Sequence, residues 1–429
     1  MKEIFKRIIT EFIEREIPDY TERDLVIPHD AKKIITLIGA RRTGKTTIIL
    51  NTVKKLRRTV NPERVVYINF EDDRVFPLEL RNLDDILEAY FELYPNPSGD
   101  LIYLFFDEVQ NVKNWEKYVR RIYDSGRYCI TVTGSSSKLL SGDLATSLRG
   151  RSLSYEVFPF SFREYLKHYD IKPSFYSQAG RGRIKNLFNR YMVSGGFPEF
   201  IDLDEIQQPK AVKEYNDLVI YKDILERYGA GNVYLMKYLI KYLFVNNSTL
   251  VSFNKIYNDF KSMGLTLGRN TIYEYASYLE DAYALFFVQN FSENIRVQNR
   301  NPKKVYLIDN SLKNLYTLKM DLGRNMENVV FLDLRRRSQL IYYLRDTKEI
   351  DFYLPMEKDF QLINVCYSVE DSLTKKREVD SLLVYMEKLR LNKGLILTND
   401  SEGVVESGRR MVYLKPVWKW MLEGQDRQG

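Results

Sequence analysis

Cysteine and histidine are scarce in these 429 residues: Cys129 and Cys366 are the two thiols, His29 and His168 the two imidazoles. Two cysteines exclude a disulfide framework or a cysteine-rich zinc centre and fit a reducing compartment, so a cytoplasmic location is expected. Two histidines leave little material for histidine-based metal or triad chemistry. Long apolar runs are also missing. The longest are too short to cross a bilayer, and no membrane partner is expected. The stretch Met1 to Arg7 mixes acids and bases through an amphipathic helix, unlike a secretory leader. No repeat or low-complexity tract is evident.

What is present describes a large globular chain. At 50.9 kDa and 44% apolar residues it should form about two or three domains, each with its own core. The net charge of +7 is modest but uneven, since residues 231–320 hold eleven Lys and Arg against six Asp and Glu. Most of the basic surplus therefore lies in the middle of the chain.

Gly39-Ala40-Arg41-Arg42-Thr43-Gly44-Lys45-Thr46 satisfies every fixed position of the phosphate-binding pattern G-x-x-x-x-G-K-[ST]. An apolar run, Ile34 to Ile38, leads into it as a buried strand, and Thr47-Ile48-Ile49-Leu50 continues as a helix. Backbone N–H groups of such a loop, with the positive helix end, wrap a polyphosphate. Lys45 would reach the β- and γ-phosphates, and the Thr46 hydroxyl would hold Mg²⁺. The expected cofactors are ATP and Mg²⁺, with Thr47 completing the cradle. A second apolar run, Leu101 to Phe106, ends in Asp107 and Glu108. It reads as a central strand whose Asp107 supports Mg²⁺ and whose Glu108 polarises the attacking water. Both carboxylates together favour hydrolysis over binding alone.

Strands expected at 34–38, 64–70, 101–107, 128–133 and 154–158 alternate with helical segments. The fold class is α/β, an open and mostly parallel five-stranded sheet with the nucleotide at its carboxyl edge. The fourth strand ends in Thr133-Gly134-Ser135-Ser136-Ser137. Ser135, with Thr133 next, either senses the γ-phosphate or caps the helix that follows at Lys138-Leu139-Leu140. Arg151 in Leu148-Arg149-Gly150-Arg151 either offsets phosphoryl charge, in cis or from a neighbouring subunit of a homo-oligomer, or lies in a solvated loop.

These motifs, followed by Phe158-Pro159-Phe160-Ser161-Phe162-Arg163-Glu164-Tyr165 and Ser194-Gly195-Gly196-Phe197-Pro198-Glu199-Phe200, occur in an order that resembles the archaeal and bacterial AAA-like ATPases carrying a winged helix and a C-terminal nuclease-like domain. The resemblance covers nearly the whole chain and is strongest from Gly39 to Phe200. It implies an ATPase core over 1–165, a small helical lid over 166–230, a winged helix-turn-helix over 231–318 and a restriction-endonuclease-like domain over 319–429. It also implies nucleotide contact from the Gly-Gly-x-Pro segment, with Pro198 near the adenine. Turn chemistry alone accounts for the same residues.

The middle of the chain reads the same way from its own residues. Helical periodicity over 233–245, 253–263 and 269–282 precedes two β-prone runs, 284–288 and 305–308, with Arg296, Arg300, Lys303 and Lys304 between them. A third helix led by Arg269, Asn270, Thr271 and Tyr273 would enter the major groove of DNA, and the basic hairpin would contact phosphates. A protein-docking module has the same outline, and Tyr273, Tyr275 and Tyr278 suit packing. In the last third, Glu327 on a helix and Asp351 on a strand match two roles of a nuclease site. The triplet expected to read Glu-x-Lys is Asn364-Val365-Cys366, which supplies neither anion nor cation. Glu327 and Asp351 are then isolated acids, solvated or salt-bridged, unless Lys375 or Lys376 moves in. The expectation is an ATP hydrolase that uses turnover to rearrange its domains on DNA. A nucleotide-gated switch recruiting a protein is the alternative, and an ATP-dependent nuclease comes third.

Overall fold

The computed structural model describes residues 1–28, 32–95, 101–134, 147–175, 177–229, 231–264 and 268–423. The chain divides into two compact units, Met1–Phe158 and Pro159–Gly429. No helix among the described residues is long and apolar enough to cross a membrane.

The first unit is built on five parallel strands: β1 (Ile34–Ile38), β2 (Val65–Asn69), β3 (Ile102–Asp107), β4 (Tyr128–Gly134) and β5 (Ser152–Glu156). Their order in the sheet is β2-β3-β4-β1-β5. Each β1 side chain is buried, as a strand covered on both faces requires. Successive residues point to opposite faces, so Ile34 and Ile38 join one core with Phe5, Leu104, Phe106 and Tyr118, whereas Ile35 and Leu37 join another with Ile49, Val53 and Phe105. Helices α1 (Lys2–Glu14), α3 (Asp84–Leu93) and α4 (Trp115–Tyr123) line the first core, and α2 (Lys45–Leu56) lines the second. Burial of each Ile, Leu or Phe contributes about 1.5–3 kcal/mol, which fixes both helical layers on the sheet.

Strand order matters for the site. β4 lies between β1 and β3, pairing with both in parallel. The phosphate loop after β1 and the carboxylates after β3 are therefore separated by one strand, whose own end faces both.

The second unit begins with helices Phe162–His168, Gln178–Ser194 and Gln207–Leu218, the last running into a π-helical stretch, Val219–Glu226. Helices Val233–Val245, Phe253–Ser262 and Arg269–Asp281 follow, with β6 (Thr249–Val251) after the first of these. β7 (Leu285–Asn290) and β8 (Lys303–Leu307) form an antiparallel pair, and β6 adds antiparallel to β8. The connection from β7 to β8 contains a short helix, Ile295–Arg300.

The strands of the last third are β9 (Tyr342–Arg345), β10 (Glu349–Tyr353), β11 (Leu362–Val365), β12 (Lys393–Thr398), β13 (Gly403–Ser407) and β14 (Arg410–Pro416). They do not form a sheet of their own. β7 pairs with β9 in parallel through Gln289↔Tyr342 and Asn290↔Tyr343, giving one nine-stranded sheet ordered β13-β14-β12-β11-β10-β9-β7-β8-β6. The boundary expected at 318/319 thus falls inside a continuous hydrogen-bonded sheet. The aromatic C-terminal segment is strand through Pro416 and helix over Val417–Glu423.

Candidate functional site

Residues 39–44 form the loop between β1 and α2, and Lys45, Thr46 and Thr47 open the helix. Two glycines are needed for backbone reasons. Gly39 has φ +146°, and a Cβ there would lie 2.3 Å from the Val157 carbonyl oxygen. Gly44 is the helix cap at φ +92°. The loop is fixed from within by the Thr43 hydroxyl, which donates to the Ala40 carbonyl at 2.9 Å. Arg23 fixes it from outside, donating to the carbonyls of Thr43 and Phe158, each at 2.7 Å. No motif marks Arg23; its role follows from the fold alone. Lys45 is buried, and its ammonium donates to the Gly39 and Ala40 carbonyls at 3.1 and 2.8 Å.

The expected metal pair meets. The Thr46 hydroxyl donates to Asp107 Oδ2 at 2.7 Å, although 61 residues separate them. Asp107 is fully buried. Its Oδ2 also accepts from the Tyr67 hydroxyl at 2.9 Å, and its Oδ1 accepts from the Thr133 hydroxyl. A buried carboxylate of this kind needs partners on both oxygens, and three hydroxyls from three different elements supply them. A hydroxyl and a carboxylate at hydrogen-bond distance beside a phosphate loop suit Mg²⁺, which takes oxygen ligands and keeps several waters.

Glu108 follows in left-handed backbone, φ 55° and ψ 46°, a conformation that costs a non-glycine residue on the order of 1–3 kcal/mol. Its N–H donates to Thr133 Oγ1 at 3.0 Å, and its carboxylate accepts from the Gln110 amide. Burial pushes the Glu108 carboxyl up from the ordinary range, while the Lys45 ammonium and the Gln110 bond pull it back. Thr133 holds Asp107 through its hydroxyl proton and Glu108 through its lone pair. It is the positioning residue of the pair.

Other expected positions divide. Ser135 and the helix expected at 138–140 lie outside the described residues, so the hydroxyl seen at the edge is that of Thr133. Arg151 is not beside the loop. Ser152 pairs with Ile34 at the start of β1, so Arg151 lies at the amino edge of the sheet, about 16 Å or more from Gly39 by strand rise. Its guanidinium is held by Asp124 at 2.7 Å. That geometry excludes a contribution in cis, because parallel strands put their two ends on opposite edges.

Pro198 belongs to the second unit and sits in a turn. The preceding glycines have a local cause: Gly195 has φ +79°, and a Cβ there would strike the Asp309 carboxylate, whose Oδ2 accepts the Gly196 N–H at 2.7 Å. Among the expected nucleic-acid residues, Arg269, Asn270, Arg296 and Arg300 are exposed, with Arg269 over the Tyr257 ring at 5.2 Å. Tyr275 is buried and Tyr278 stacks on Tyr228 at 3.9 Å, whereas Tyr273 is exposed. Lys303 is half-buried over Phe253 and Phe287. Lys304 is 2% exposed and ion-paired with Glu327, Glu349 and Asp351, so it is no phosphate contact. Its side chain points to the opposite sheet face from its neighbour, which the basic run Lys303-Lys304 could not disclose.

Comparison with known proteins agrees with the nucleotide site. Residues 31–166 match an AAA domain, and residues 185–322 match a domain of unknown function. MJ1544 of Methanocaldococcus jannaschii is 34% identical over 98% of this chain and 96% of its own length. This chain belongs to the MJ1544 family. A Haemophilus influenzae protein is 28% identical over 92% of this chain and 95% of its own. Among solved structures, the Walker-type ATPase of Pyrococcus abyssi is similar with a TM-score of 0.42 and 14% identity, over 70% of this chain and 99% of that one. Within this MJ1544 relative the first unit is an AAA-like P-loop domain on a five-stranded parallel sheet.

Proposed function

We propose that the chain is a Mg²⁺-dependent ATP hydrolase that acts on DNA. The 2.7 Å bond between Thr46 and Asp107 carries the hydrolase reading, because it brings the two expected metal ligands to one point beside the loop. Mg·ATP supplies a polyphosphate and a hard cation when bound. Amides of residues 40–46 cradle the phosphates, and Lys45 exchanges loop carbonyls for phosphate oxygens. Thr46 and Asp107 hold the cation. Glu108 orients water and accepts its proton, and burial brings its carboxyl nearer the range of a general base.

In the DNA reading, residues 231–318 are a winged helix. The three helices 233–245, 253–262 and 269–281, together with β6, β7 and β8, have the required order, and the exposed Arg269, Asn270, Arg296 and Arg300 meet phosphates or groove edges. Arg151 would serve a phosphate only in a neighbouring subunit of a homo-oligomer. The test is steady-state ATP turnover of the wild type and Glu108→Gln, with and without duplex or single-stranded DNA. Turnover that rises with DNA, loses that rise with salt and is lost in the variant supports the proposal; wild-type turnover in Glu108→Gln refutes the catalytic assignment.

A second reading, a nucleotide-gated switch that recruits a protein, has one observation in its favour. Ile295 and Val297 are 72% and 47% exposed on the short helix between β7 and β8, beside Arg296. Apolar side chains held out in water suit a protein partner. ATP turnover indifferent to every DNA form would select it.

A further inference from the structure

Three carboxylates of the second unit converge on one nitrogen. Lys304 Nζ lies 2.7 Å from Asp351 Oδ1, 3.0 Å from Glu349 Oε1 and 3.2 Å from Glu327 Oε1. Three elements supply them: β8 the lysine, the helix Leu322–Arg337 Glu327, and β10 the other two acids. The lysine side chain is 3% exposed, Glu327 12% and Asp351 18%, while Glu349 opens to solvent at 38%. Asp351 Oδ2 is held by the Val365 N–H at 2.8 Å, and the Tyr306 hydroxyl donates to Glu327 Oε1 at 2.7 Å. Asn364, where a nuclease-like site would place an anion, accepts the Asp351 N–H at 3.2 Å and donates to Glu378 at 2.8 Å.

Of the two states expected from sequence, solvated or salt-bridged, Glu327 and Asp351 take the second, and the cation they share is supplied by the chain. A bare cluster of this kind would need a positive charge, because like charges in a poorly solvated pocket repel strongly. We propose that the Lys304 ammonium is the resident cation of this cluster, occupying the place of a divalent metal ion and excluding one from the native protein. An ammonium has three donor hydrogens; here it donates to Glu327 and Asp351 and is ion-paired with Glu349, holding the carboxylates at 2.7–3.2 Å. Divalent ions bring oxygens closer, to roughly 2.3–2.6 Å for Ca²⁺ and less for Mg²⁺, so removal of the ammonium leaves a site that contracts by about half an ångström around a metal. The inference is independent of the ATPase and DNA readings.

The test is calorimetric titration of the nucleotide-free full chain with Ca²⁺ and, separately, Mn²⁺, in the wild type, Lys304→Ala, Asp351→Asn and the double variant. Wild type and Asp351→Asn should take up the same small amount of metal. Lys304→Ala should gain one further site, with its melting temperature about 10 °C below wild type and raised about 5 °C or more by saturating metal. The double variant should lose that gain. A wild-type site that disappears in Asp351→Asn overturns the proposal, as does a folded Lys304→Ala that gains neither metal. Should Lys304→Ala fail to fold, the wild-type and Asp351→Asn titrations decide alone: equal uptake supports a resident ammonium, and Asp351-dependent uptake refutes it.

Discussion

Replacing Thr133 by valine removes one hydroxyl at nearly constant shape, and the geometry makes the consequence calculable. The hydroxyl donates to the buried Asp107 carboxylate and accepts the Glu108 N–H at 3.0 Å. A hydrogen bond to a charged group is worth about 1.5–3 kcal/mol, and an orphaned N–H costs about 1–3 kcal/mol more. Part of that loss falls on the free enzyme, since Tyr67 and Thr46 still hold Asp107 Oδ2. The part felt at turnover is the anchoring of Glu108, whose left-handed backbone is held in place by this contact. If about 1.4–2.8 kcal/mol of it is lost in the transition state, kcat for ATP falls about 10- to 100-fold. KM should move much less, because the loop amides and Lys45 are untouched. Thr133→Ser, which restores the hydroxyl, should recover most of the rate. The assay is steady-state phosphate release for the three proteins. Unchanged kcat in the valine variant, or a loss confined to KM, would refute the assignment of Thr133 as the residue that positions Glu108.

Lys45→Ala should lower ATP affinity at least about tenfold in equilibrium binding, since a buried ammonium aimed along the loop is the natural partner of phosphate oxygens; full-affinity binding would count against the loop's role. Reversing Arg296 and Arg300 to glutamate should weaken DNA binding and flatten its salt dependence, because each lost phosphate contact removes released counterions; fluorescence anisotropy across a salt series measures both. Glu327 gives a pH prediction. Burial raises its carboxyl to about 7, with Lys304 and the Tyr306 bond opposing and Asp351 reinforcing the rise. A group whose folded-state pKa is raised stabilises the fold most below its unfolded value near 4.5, and that contribution is lost as pH climbs towards 7. Glu327→Gln should therefore gain on the wild type in chemical denaturation between pH 5 and pH 8, by on the order of 3 kcal/mol at most. Parallel stability curves would contradict it.

Sequence by itself determined the parts whose physics is local. A loop that wraps phosphate needs glycines at fixed spacing, and Gly39 and Gly44 occupy two of its three positive-φ positions, Arg42 taking the third. A strand buried on both faces reads as a near-continuous apolar run, so β1, despite its buried Thr36, and β3 were legible from composition, as were the acids where β3 reaches the sheet edge. Helices 233–245 and 269–281 followed from periodicity.

Tertiary structure decided whatever depends on register and strand order. β4 enters between β1 and β3, and only that order sets Thr133 against Asp107 and Glu108. Arg151 is close in sequence to β5 but is carried to the wrong edge by parallel pairing with β1. Arg23 and Tyr67 have no motif, being chosen by what lies above them in space. Lys304 looks like half of a basic pair, yet one residue of register turns it from solvent into a nest of three acids contributed by elements more than twenty residues away. Backbone preferences are written residue by residue; a side chain's partners are fixed only when strands from distant parts of the chain are laid side by side.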